Sequence, residues 1–120
     1  MSATVDIEKA RKLFKDAFPF TENTTQKMAV YKNLKGREIA LQRERSLAFY
    51  IWLEKYDTTI EGVTIKNDKN PGLPYGQTQV RSSNLNDTMA PKLKKGNRVW
   101  HLKVDDLTAL KGVIDWYGSV

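Results

Sequence analysis

The sequence predicts a helix-rich α+β fold organised around one buried central helix, and three observations lead to it. Leu47 to Leu53 are seven consecutive apolar or aromatic residues, no Gly or Pro falls between Glu38 and Gly62, and helix-forming Glu, Gln, Arg, Leu and Ala fill the approach to the run. A helix apolar on every side needs neighbours all round, so Arg37–Tyr56 reads as a long helix whose second half is enclosed. Phe49, Tyr50, Ile51 and Trp52 also suit a strand. The length of the uninterrupted stretch decides for the helix.

The other elements follow in order. Ile7, Ala10, Leu13, Phe14, Ala17 and Phe18 recur at helical spacing with Lys9, Arg11, Lys12, Lys15 and Asp16 between them, which predicts a first helix over Thr4–Phe18, ended by Pro19. Asn23-Thr-Thr-Gln26 has capping-box spacing and predicts a second helix carrying Met28, Tyr31 and Leu34 inward, stopped by Gly36 or continuing through it as one long kinked helix. The β-branched residues of Thr59–Lys66 predict a strand, and the Pro- and Gly-rich stretch from Lys66 to Gln77 a surface loop. Gln77–Ala90 reads as a short polar helix with Val80, Leu85 and Met89 on one side, or as a loop. Lys92–Val104 predicts a basic hairpin turning at Lys95-Gly96-Asn97, its second strand placing Trp100, Leu102 and Val104 on one face and His101 and Lys103 on the other. A last helix starts at the Asp105 cap, carries Leu107, Leu110, Val113, Ile114 and Tyr117 inward and ends at Gly118. A small antiparallel sheet of Thr59–Lys66 and the hairpin completes a single domain spanning residues 1–120.

Composition narrows the function classes. The 120 residues include no Cys and one His, which excludes disulfides, thiolate metal sites and Cys nucleophiles and leaves little for a His-based metal site. The N-terminal stretch lacks the apolar core of a signal peptide, and Leu47–Leu53 is far short of the roughly 20 residues of a membrane span. The expectation is a chain without membrane association, cytoplasmic or in the nucleoid or nucleus. No phosphate-cradling glycine loop occurs, and no Asp or Glu has Lys two residues later, the spacing that puts a carboxylate and a lysine on one face of a nuclease strand. Catalysis, cofactor and metal are therefore not expected.

Formal net charge is +6, and residues 77–104 hold six Lys and Arg against a single Asp. Such a field favours polyanions. Within that segment Gln79, Arg81, Ser83, Asn84 and Asn86 are side chains of the kind that hydrogen-bond base edges, and Lys92, Lys94, Lys95, Arg98 and Lys103 are suited to phosphates. A polar helix followed by a basic hairpin is the element order of winged-helix proteins, an analogy of order alone. The expected function is nucleic-acid binding, with DNA placed ahead of RNA. The competing account makes residues 77–86 a solubilising loop and the lysines guards of a sheet edge. A rival from another class is a non-catalytic accessory subunit that grips a protein partner with Leu73, Tyr75 and Trp116.

Overall fold

A computed structural model describes residues 6–19, 21–43, 47–67, 69–79, 81 and 85–119. It contains one six-stranded antiparallel sheet and two helices, in the order α1 (Ile7–Ala17), β1 (Thr21–Thr24), β2 (Met28–Lys32), β3 (Glu38–Gln42), β4 (Phe49–Leu53), β5 (Val63–Lys66), β6 (Trp100–Val104) and α2 (Leu107–Ser119). The strands run β1-β2-β3-β4-β6-β5 across the sheet, so β6 inserts between β4 and β5. None of the described helices is long and apolar enough to cross a membrane.

The helix-rich expectation is overturned here. The stretch read as a central helix is β3 and β4, paired antiparallel with Ile39 opposite Leu53 and Leu41 opposite Ile51. Its apolar run hid the two-residue period because both faces of the sheet are covered at this point. Ile39, Leu41, Phe49, Ile51 and Leu53 face α1 and α2, whereas Ala40 and Trp52 enter a second cluster on the opposite face. A strand buried on both sides reads as a continuous apolar run. Ile51 is fully buried in the middle of the sheet. Ile51→Val should therefore cost about 1 kcal/mol, measured by urea denaturation, for the one methylene removed; an unchanged midpoint would remove Ile51 from the core.

The second helix is likewise a hairpin, β1 pairing with β2. Within the stretch that suggested a capping box, Thr25 shapes the turn: its Oγ1 accepts from the Lys27 and Met28 backbone N–H groups at 3.3 and 3.1 Å. Short hydroxyl and amide side chains bind nearby backbone in turns as readily as at helix starts. Asn33 does the same between β2 and β3, its Oδ1 accepting from the Lys35 and Arg37 N–H groups, and Gly36 takes φ +84° there, a value that side-chain-bearing residues avoid. Gly36 thus closes a hairpin rather than a helix.

Both terminal helices form where the spacing predicts. Asp6 caps α1 through Lys9 N–H, and Phe14 stacks on Tyr31 of β2 at 5.2 Å. At α2 the cap is Asp106, not Asp105, with its Oδ1 2.8 Å from Ala109 N. The expected basic hairpin has only its second strand. Residues 91–97 are turns, and β6 pairs with β4 and β5 instead of with them. The winged-helix order has no counterpart in this topology.

Between β5 and β6 the chain folds back over the second face of the sheet. Tyr75, Leu85, Ala90, Leu93 and Val99 bury Met28, Val30, Ala40 and Trp52 there, with Met89 packed alongside. An isolated bridge between Tyr75 and Val99 ties the two ends of this cover together.

Candidate functional site

The cover spans β2, β3 and one end of β4, and among the described residues it leaves the rest of that face open. Alternation dictates what stands there. In β6, Trp100, Leu102 and Val104 point to the helices, so His101 and Lys103 point away; in β5, Val63 and Ile65 point in, so Thr64 and Lys66 point away. Register joins these positions across the strands: Tyr50 lies opposite Lys103, which lies opposite Thr64, and Trp52 lies opposite His101, which lies opposite Lys66. Tyr50, Lys66, His101 and Lys103 are each half-buried and Thr64 is exposed.

The rings are fixed by one another. His101 stacks on Trp52 with centroids 3.9 Å apart and planes within 4°, and Tyr75 meets the Trp52 ring edge-on at 4.9 Å. His101 Nε2 lies 2.7 Å from Gln42 Oε1. A carbonyl oxygen accepts only, so the ring nitrogen is the donor of this pair. Tyr50 is tilted 45° to His101 at 6.0 Å, and the Lys66 ammonium stands 5.1 Å from the Tyr50 ring centroid, within cation–π range. No Asp or Glu occurs in β4, β5 or β6, so the open face is aromatic and basic with no acid on its strands.

Of the ten residues expected at the site, Lys103 lies on this face. Arg81 has a different role: Nη1 donates to the carbonyls of Leu93, Lys94 and Asn97, Nη2 to those of Gly76 and Gln79, and Nε again to Gln79. Burial pulls the Arg81 pKa below its ordinary value, opposed by the neighbouring Tyr75. The guanidinium thus binds the two halves of the cover together instead of projecting towards a base. Gln79 exchanges hydrogen bonds of 2.6 and 3.1 Å with the buried Asn67 amide. Asn86 accepts from the Thr88 and Met89 N–H groups in a turn. Ser83 and Asn84 lie outside the described residues.

The basic members divide similarly. Lys92 Nζ donates to the Gly36 carbonyl at 2.5 Å, and Lys94 is ion-paired with Asp87. Lys95 and Arg98 are exposed. Arg98 lines a groove of about 580 Å³ with Lys69, Asn70, Pro74, Thr78 and Gln79, and this groove starts just past the end of β5. Tyr75 and Trp116 do not share a surface, since Tyr75 packs in the cluster under the cover and Trp116 against Tyr56 and Tyr117 on the helix side. Leu73 is exposed.

Tyr50 and Lys66 were missed from the sequence because only strand register makes them neighbours of Lys103. The alternating VTIK and WHLKV segments carried the signal, but reading Tyr50 into a buried helix kept it off any surface. Among the described residues no group of three or more His, Asp or Glu side chains is placed to hold a metal ion. No family model matches the sequence, and no curated protein or solved structure is found to be similar to it.

Proposed function

We propose that this protein binds nucleic acid through the open face of β4, β6 and β5. The observation that carries the reading is the juxtaposition of Tyr50, Lys66, His101 and Lys103 on three strands without a carboxylate. The lysines supply phosphate contacts, the rings supply flat apolar surface for bases, and the overall charge of +6 supplies long-range attraction. Gln79 and Arg81, which are engaged within the cover, contribute by holding it in place.

Replacing Lys66 and Lys103 together by Ala should weaken binding to all sequences alike and reduce the slope of log affinity against log salt by about two units, one for each phosphate that is no longer neutralised. Fluorescence anisotropy of labelled oligonucleotides across a salt series measures both effects. The Lys94/Lys95 double Ala variant should change binding less, because Lys94 already faces Asp87. Absence of binding to any nucleic acid at low salt would end this reading and favour a protein partner. Unchanged binding by the Lys66/Lys103 variant would move the site, with Lys9, Lys12 and Lys111 next in line; they surround a groove between α1 and α2 lined by Leu13 and Leu107.

A further inference from the structure

We infer that the nucleic acid taken by this face is a single strand, which crosses the sheet over Tyr50 and continues into the groove of Lys69 and Arg98; this rests on the nucleic-acid reading above. Three features argue for it. The open face is a sheet with upright side chains, and neither helix projects from it: both pack on the opposite face, against Tyr31, Ile51, Leu102 and their neighbours. A duplex offers base edges only within grooves, which this broad sheet face could enter only with the duplex deformed around it, whereas an unpaired strand can lay its bases on partly exposed rings.

The second feature is Tyr50 itself. It is the aromatic residue of β4 that is neither buried in the helix-side cluster nor under the cover, and the charged partner at its ring is the flexible Lys66 side chain at 5.1 Å. A base stacking on Tyr50 gains the ring contact while the ammonium turns to an adjoining phosphate. The third is continuity of charge. From Lys103 past Lys66 the basic side chains resume, after Asp68 in the sequence, at Lys69, and Arg98 lines the same groove. Asn67 stiffens this junction, accepting from the Lys69 and Asn70 N–H groups while its amide donates to Pro74 O. Over the five residues of β6 the track is about 17 Å long at strand rise, before the groove adds to it.

The test compares labelled single-stranded DNA, single-stranded RNA and the matching blunt duplex, each about 12 nucleotides long, within the range that single-strand-binding modules cover. Wild-type protein should prefer a single strand over the duplex by at least about tenfold at equal salt. Preference for the RNA or the DNA strand tells which of the two the site accepts. Tyr50→Ala should weaken single-strand binding about tenfold and Tyr50→Phe little, while Arg98→Ala should lower the salt slope for the single strand by about one unit. Duplex binding as tight as single-strand binding, abolished in the Lys66/Lys103 variant, would overturn this inference and leave the nucleic-acid reading standing. No binding to any of the three would end both. The wild-type comparison needs no variant, so a loss of folding in Tyr50→Ala leaves the inference fully exposed to refutation.

Discussion

Arg81→Lys should destabilise the protein by about 3 kcal/mol, although it keeps the charge. The guanidinium donates to five backbone carbonyls, those of Gly76, Gln79, Leu93, Lys94 and Asn97; Gly76 and Lys94 also accept from the Gln79 and Asn97 N–H groups, and none of the five belongs to a helix or strand ladder. An ammonium offers three donors from one point and cannot span a fork. At least two of these carbonyls would be left without their charged donor, each bond of this type being worth roughly 1.5–3 kcal/mol. The damage should be local. Amide exchange at Tyr75, Leu93 and Val99 should accelerate far more than at Ile51 or Leu102, because the former hold the cover and the latter the central sheet. Equal acceleration at both sets would mean that the cover has no independent stability and that Arg81 supports the whole fold. If exchange is unchanged everywhere, the carbonyl cradle is misread.

How far the sequence revealed the fold depended on how many sides of each element are buried. Ile7–Ala17 and Leu107–Ser119 each bury one stripe, and the helical period was plain in both. The alternation of Trp100 to Val104 was equally plain, because His101 and Lys103 meet the open face. Glu38–Gln42 and Phe49–Leu53 lie beneath helices on one side, and on the other the cover buries Ala40 and Trp52, so only Tyr50 broke the apolar run of β4, no period stood out, and the strong helix formers around them decided the matter wrongly. Capping residues misled for a related reason. The Asn23–Gln26 stretch was read as a helix start, but within it Thr25 accepts from backbone N–H groups two and three residues on in a hairpin turn, as a helix cap does from its own first turn, and only the strand partners reveal which is meant. For the candidate site, residues 77–104 correctly carried the charge asymmetry into view, but local clustering could not show that Arg81 turns inward or that Tyr50 and Lys66 become neighbours of Lys103 through pairing. A site assembled by register across three strands has no single stretch of sequence to betray it.

Glu38→Ala should also cost about 3 kcal/mol, and here the charge itself is at stake. Glu38 is 1% exposed; its Oε1 accepts from Lys92 N at 2.7 Å and its Oε2 lies 3.7 Å from Lys32 Nζ. Truncation strands the Lys92 N–H and leaves Lys32 without its acid at the edge of the core, which is the costly way to break such a pair. Glu38→Gln retains an acceptor for Lys92 and should lose about half as much, so the two variants separate hydrogen bond from charge. The same junction ties in α2: the Tyr117 hydroxyl donates to Glu38 O at 2.7 Å and accepts from Glu54 N at 2.9 Å, while Glu54 Oε2 accepts from Glu38 N. Burial, reinforced by the adjacent Glu54 carboxylate, pushes the Tyr117 pKa far above its ordinary 10.0. The folded state therefore holds this proton over a range where the unfolded chain releases it, and stability must fall as pH rises beyond about 10. The fall attributable to Tyr117 is about 1.4 kcal/mol per pH unit. Denaturation between pH 9 and pH 11, taken as about one unit either side of an ordinary tyrosine pKa, should show a steeper alkaline decline in wild type than in Tyr117→Phe. Parallel curves would mean that the hydroxyl ionises in the folded state as easily as in the unfolded one, and the buried junction of Glu38, Glu54 and Tyr117 would have to be open to water.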